Sequence, residues 1–222
     1  MSVWAIVPVK PLKQAKSRLA DLLSAEQREA LATALLLRTV RLLLPLPQIQ
    51  GVLVISRDSQ ALAMVRELGA QTVQESGAPE LNNALLRATQ ALRLWGAEAA
   101  LIVPADIPLL AAEDVAQVVE MGRFSDTVVL APDHSERGTN LLLVRPPGII
   151  PYAFGEDSFQ RHQYYAHQAG ATVAIYQSER AGLDLDTAAD LLRYGELAKV
   201  LGEPIIEPAA LAEFLAGESQ PR

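Results

Sequence analysis

The sequence predicts an α/β layered domain, with a mostly parallel central sheet and helices on both faces. Three observations support this class. Short apolar runs rich in β-branched residues alternate with longer stretches whose apolar residues recur every three or four positions. Glycine or proline bounds most of these stretches, so each element has a defined end. The spacing from one strand to the next leaves room for a helical crossover, which parallel neighbours require. With 222 residues, 50% of them hydrophobic, the chain can bury one full core. A single domain is expected over residues 1–216, and a disordered tail over 217–222.

In chain order, Val3 to Val9 reads as a buried strand that gives way to a polar loop. Ser24 with Gln27 three residues on forms a capping-box pattern, and leucines at helical spacing run from Leu31 until Pro45 stops the helix. Val52 to Ile55 is a second strand, Ser59 to Leu68 a helix ended by Gly69, and Thr72 to Gln74 a short strand. A helix from Leu81 to Trp95 ends at Gly96, and Ala100 to Val103 is the next strand. PADIPLL follows, then a helix from about Ala112 and a strand from Thr127 to Leu130. After Ala131 the alternation changes: PDHSERGTN is a turn-rich loop, LLLV a strand, and Pro146 to Pro151 a proline-rich connection. Phe159 to Ala169 is helical, Thr172 to Tyr176 a strand, and Thr187 to Val200 the last helix.

Composition excludes several classes. A formal net charge of -7 argues against a nucleic-acid or anionic-membrane binder, because both reward a broad basic surface. There is no cysteine, so disulfides and thiolate metal sites are excluded. The leucine-rich segment from Leu35 to Leu46 contains Arg38 and Arg41 and ends in prolines, so it does not span a bilayer. A cytoplasmic protein is expected, and its leucine-rich helices leave room for a homodimer. Walker A, G-x-G-x-x-G and G-x-S-x-G patterns are absent. The three histidines have no metal-ligand spacing and read as surface or packing residues.

In open α/β sheets, ligands bind where strands end and loops begin. Three of the chain's four lysines, Lys10, Lys13 and Lys16, stand with Arg18 in the loop after the first strand, and no acid precedes Asp21. Compact ammonium groups there suit triphosphate oxygens; a solvated basic loop is the competing account. Asp106, in PADIPLL, sits at a strand's C-terminal edge between prolines, where it suits Mg2+ or simply forms a turn. In GLDLDT, Asp184 and Asp186 alternate and project to one face if extended, a pair that a cation would reconcile. Helix capping by Asp186 or Thr187 explains part of that segment as well. In RGTN and FGEDSFQRH, Thr139, Gly155 and Ser158 offer hydroxyls and close backbone approach to an anion, or ordinary turns and caps. Asn82 and Asn83 either start a helix or place amides over a nucleotide's base or sugar.

Taken in order, VPVKPLKQAKSRL, ELNNAL, PADIPLL, ERGTN, FGEDSFQRH and LDLDTAADL resemble the CofC/FbiD guanylyltransferases of deazaflavin coenzyme F-420 biosynthesis, over about Val3 to Leu192. The resemblance implies a three-layer nucleotidyltransferase fold of the nucleotide-diphospho-sugar transferase kind. It implies transfer of GMP from GTP to phosphoenolpyruvate, or to 2-phospho-L-lactate, with release of pyrophosphate and hand-over of the product to a deazaflavin transferase. By the same resemblance, Asp106, Asp184 and Asp186 would hold Mg2+. Thr139, Gly155 and Ser158 would hold the acceptor's phosphate and carboxylate, and Lys10, Lys16 and Arg18 would wrap the triphosphate. The G-x-G-x-R loop of the wider superfamily is replaced by lysines here, so triphosphate binding should rest more on side-chain charge. Rival readings are a transferase of the same fold acting on a sugar phosphate, a polyol phosphate or molybdopterin, and a regulatory domain without turnover.

Overall fold

A computed structural model describes residues 2–76 and 80–206. The expected tail at 217–222, and the last residues of the expected domain, lie outside the described residues. Seven strands form one sheet: β1 (Val3–Val9), β2 (Ile49–Ser56), β3 (Gln71–Gln74), β4 (Ala99–Ile102), β5 (Thr127–Pro132), β6 (Thr139–Arg145) and β7 (Thr172–Ile175). Among the described residues six α-helices cover it: α1 (Ala25–Leu43), α2 (Ser59–Glu67), α3 (Leu81–Leu94), α4 (Ala112–Met121), α5 (Ser158–Gln168) and α6 (Ala188–Leu201). Among the described residues no helix is long and apolar enough to cross a membrane.

The spatial order is β3-β2-β1-β4-β6-β5-β7. Pairings β1–β2, β1–β4, β2–β3 and β5–β7 are parallel, while β6 runs antiparallel to both β4 and β5. The turn-rich loop between β5 and β6 is too short for a crossover, so β6 has to return antiparallel. That reversal brings the start of β6 to the edge where β4 ends, because Leu142 pairs with Ile102.

The two-residue period of a strand divides the core into two layers. Val3, Ala5 and Val7 face α1, α2 and α4, whereas Ile6 and Leu53 face α3 and α5. A third cluster, including Leu19, Leu31, Leu183, Leu185 and Tyr194, seats α6 against α1. The capping box at Ser24 and Gln27 forms as the sequence predicts. Strand β2 starts three residues earlier than its apolar run suggests. Gly51 extends it beneath Trp4, whose ring would lie 2.6 Å from any Cβ placed there.

Candidate active site

Strands β1 to β4 all end at one edge of the sheet, and a cleft of about 380 Å3 opens there. Its walls include Lys10, Gln14, Lys16, Asp106, Phe154 and Asp186. The loop after β1 enters the cleft through two short 3-10 turns, Leu12–Gln14 and Ser17–Leu19. Lys16 joins them with a left-handed backbone (φ 54°), a conformation that costs a non-glycine residue on the order of 1 kcal/mol. The bend directs its ammonium inward, where Nζ donates to Asp106 Oδ2 at 2.9 Å and Asp186 Oδ1 at 3.2 Å. Only 6% of the Lys16 side chain is exposed. Burial pulls its pKa down most strongly of any single influence, but Asp106 and Asp186 together outweigh this and hold it above its ordinary value.

The acidic residues arrive from two distant segments. The amide of Leu185 donates to the carbonyl of Asp106 at 3.0 Å, so one backbone bond joins PADIPLL to GLDLDT. Leu183 and Leu185 plug into the third core cluster, and the alternation turns Asp184 and Asp186 the other way. Asp186 does not cap α6. Thr187 does, accepting from Asp190 N, and Asp190 in turn receives the amides of Asp186 and Thr187. The Asp186 carboxylate is thereby left for Lys16 and for Arg18, whose guanidinium is 3.7 Å away on the exposed rim. Burial first, then the charges of Asp106 and Asp186, push the Asp184 carboxyl up to about 6.

These acids suit a hard cation. The charges of Asp106 and Asp186 act on Asp184, and a single ammonium bridges only the first two, so no cation pairs with Asp184 among the described residues. Among the described residues no three acidic or histidine side chains are grouped closely enough to hold a metal ion unaided. Magnesium does not need three, since it is commonly held by one or two carboxylates together with substrate phosphates and water.

Thr139 and Ser158 meet beside this centre, at the starts of β6 and α5, and do not line the cleft itself. Thr139 N donates to Ser158 Oγ at 2.9 Å, and both side chains are nearly buried. His162, fully buried, ties the group together. Its Nε2 accepts from Ala153 N at 3.0 Å, so the proton is on Nδ1, which donates to Thr139 Oγ1 at 3.0 Å. Both hydroxyls keep a proton of their own to donate. Gly155 adopts φ 124°, a backbone geometry that side chains rarely accept, just before α5 begins.

The asparagines stand in the first turn of α3, the helix start that the sequence offered as one of two readings. Asn82 receives Phe154 N at 2.8 Å and donates to Phe154 O at 3.2 Å, so both ends of its amide are committed to the protein backbone. It therefore positions Phe154 in the cleft wall. Asn83 is exposed and lies outside the cleft lining, and its amide is held by the capping residue Glu80.

The family of CofC-like guanylyl transferases matches residues 3–197. The chain belongs to this family. A phosphoenolpyruvate guanylyltransferase from Rubrobacter xylanophilus is 39% identical over 87% of this chain and 93% of its own length. A 2-phospho-L-lactate guanylyltransferase from Methanothermobacter thermautotrophicus is 36% identical over 86% of this chain and 83% of its own. The fold agrees with the solved structure of a nucleotidyl transferase from Methanothermobacter, with TM-score 0.64 at 13% identity, covering 90% of this chain and 99% of that one.

Within this CofC-like frame, several cleft residues escaped the sequence reading. Arg57 and Glu75 follow β2 and β3 directly, and Glu80 caps α3. The signal was available, because the rule that singled out the loops after β1 and β4 applies equally to β2 and β3. Asp190 also escaped the sequence reading, although by taking the amides of Asp186 and Thr187 it frees the Asp186 side chain.

Proposed function

We propose that the protein transfers GMP from GTP to phosphoenolpyruvate, giving enolpyruvoyl-2-diphospho-5'-guanosine and pyrophosphate in coenzyme F-420 biosynthesis. One observation carries the proposal: Lys16 meets Asp106 and Asp186, beside Asp184, in a cleft at the strand ends of a CofC-family chain. An oxygen of the acceptor phosphate attacks the α-phosphorus of GTP. The bond from that phosphorus to the bridging oxygen breaks, and its electron pair leaves on pyrophosphate. The attacking group is already an anion, so no strong general base is required. The task is to bring two anions together and to stabilise the departing charge.

Lys10 and Lys16 line the cleft, with Arg18 at its rim, and neutralise the triphosphate. Thr139 and Ser158, buried beside the cleft, fix the start of α5, where the exposed backbone at Gly155 and their free hydroxyl protons would meet the acceptor's phosphate and carboxylate. Asp106, Asp184 and Asp186 would hold Mg2+, which supplies charge neutralisation on phosphate oxygens when bound. The product is an activated enol diphosphate, suited to hand-over to a deazaflavin transferase. We place the reaction in the cytoplasm, where phosphorylated substrates of this kind are retained.

Use of 2-phospho-L-lactate is the second reading, favoured by the 36% identity to the archaeal enzyme of that name. The test is pyrophosphate release from Mg-GTP with phosphoenolpyruvate, 2-phospho-L-lactate or 3-phosphoglycerate, in the presence of a deazaflavin transferase and its acceptor. Fastest release with phosphoenolpyruvate is expected. Release with phospholactate alone would replace the acceptor, and release with none would overturn the guanylyltransferase reading.

A further inference from the structure

Two charged side chains in the cleft have no part in the chemistry described above. Arg57 follows β2 and Glu75 follows β3, and both line the same cleft as Lys16 and Asp106. Glu75 is fixed from behind, its amide donating to the carbonyl of Ser56 at 2.8 Å. Its side chain is only 11% exposed, yet its nearest cation, Arg57 Nε, is 4.0 Å away, too far for a hydrogen bond. Arg57 Nε is itself buried with no hydrogen-bond partner among the described residues. A buried donor beside a largely buried carboxylate, neither bonded to the other, leaves desolvated polar groups that a ligand could satisfy. Glu80, the other glutamate in the cleft wall, is occupied: one oxygen caps the backbone amide of Asn82 and the other that of Asn83.

The position of the pair along the sheet indicates which part of a nucleotide it would meet. In the order β3-β2-β1-β4, Glu75 stands three strand steps from Asp106, or about 14 Å at ordinary strand spacing. Lys16 stands beside Asp106, with Arg18 on the rim by Asp186, and Lys10 follows β1 on the way to β2 and β3. With its α-phosphate by Lys16 and Asp106 and its β- and γ-phosphates turned out toward Arg18, a nucleoside triphosphate leaves the rest of the cleft to its ribose and base, and that part ends at Arg57 and Glu75.

We infer that Arg57 and Glu75 read the Watson–Crick edge of guanine. The inference rests on the guanylyltransferase reading and deepens it. Guanine presents an acceptor, O6, followed by two donors, N1–H and the 2-amino group. Arg57 offers a donor, and the adjacent carboxylate offers two acceptors that can take both donors at once. Adenine presents a donor where O6 would be and a lone pair where N1–H would be, so it faces like against like at both positions.

Equilibrium binding of GTP, ITP and ATP, each with Mg2+, to the wild-type protein and to Glu75→Gln tests this. ITP differs from GTP only in lacking the 2-amino group. The wild type should prefer GTP to ITP by about ten- to a hundredfold, the range for one hydrogen bond to a charged group, with ATP weaker still. Glu75→Gln should narrow the GTP preference over ITP to within about threefold. A second variant, Arg57→Gln, should weaken GTP and ITP alike, because both carry O6, and leave their ratio unchanged. A wild-type ratio retained in Glu75→Gln, or equal wild-type binding of all three nucleotides, would overturn the assignment while leaving the transferase reading intact. Failure of any nucleotide to bind would overturn both.

Discussion

Lowering the pH should loosen the fold through one residue, His162. Its imidazole is fully buried, and that burial, with a smaller contribution from the charge of Arg161, depresses its pKa from 6.5 to about 4. Both ring nitrogens are committed, Nε2 as an acceptor from Ala153 and Nδ1 as a donor to Thr139, so a second proton has no place without breaking the Ala153 bond. The sign follows from linkage. In the unfolded chain His162 takes up a proton near pH 6.5, and in the folded chain only near 4, so the unfolded state binds more protons between those values. The stability that neutral His162 contributes is fully present above pH 6.5 and is lost as pH falls toward 4. The slope is about 1.4 kcal/mol per pH unit and the total about 3 kcal/mol. Urea unfolding of the wild type and of His162→Gln at pH 7, 6, 5 and 4.5 isolates this contribution. Other titrating groups cancel in the difference, and the variant's lost hydrogen bonds add a constant offset. The stability advantage of the wild type should shrink steadily below pH 6.5. In NMR, one of the three histidines should titrate only near pH 4. A difference flat with pH, or a His162 resonance titrating near 6.5, would refute the tautomer and burial on which the site's construction depends.

Further consequences concern the cleft and its supports. Asp106→Ala should lower transfer by about a thousandfold with the circular dichroism spectrum unchanged, and near-normal turnover would remove Asp106 from the chemistry. Lys16→Ala should raise the GTP KM by about tenfold or more, and unchanged GTP kinetics would count against a triphosphate role. Leu185→Ala should cost about 2 to 5 kcal/mol in urea unfolding, because that fully buried side chain anchors the turn carrying both acids. Asn82→Ala should destabilise by about 1 to 2 kcal/mol and raise substrate KM through a displaced Phe154, a readout that loss of helix stability alone would not move.

Much of the fold was legible because its signals are local. Strands β1, β2 and β4 are continuous apolar runs, as strands covered on both faces must be, and Gly69 and Gly96 take the positive φ expected just beyond α2 and α3. The seven-strand order was not written locally, since it depends on which crossover packs beside which. The same division applies at the site. Lys16, Asp106 and Asp186 carry their chemistry in their residue types and loop positions, whereas the bond from Leu185 to Asp106 that brings the acids together is a long-range pairing. The bond from Asn82 to Phe154 has the same origin: the helix start is legible locally, but the partner lies 72 residues away. His162 read as a packing residue because nothing in FGEDSFQRH indicates that Ala153 and Thr139 converge on its ring.

The lysine loop now has a physical explanation. A glycine-rich loop holds phosphates with backbone amides, which carry no net charge and can stand empty at little cost. This loop uses side-chain ammonium groups, and an unpaired buried ammonium is costly, so in the absence of phosphate Lys16 has to find counter-charges nearby. Asp106 and Asp186 provide them. The same two acids keep Lys16 charged and in place, and on the guanylyltransferase reading they would hold the cation while Lys16 turns to the phosphates. The left-handed backbone at Lys16 suits that reading, because it fixes the Cα at the cleft while the long side chain would exchange carboxylate partners for phosphate.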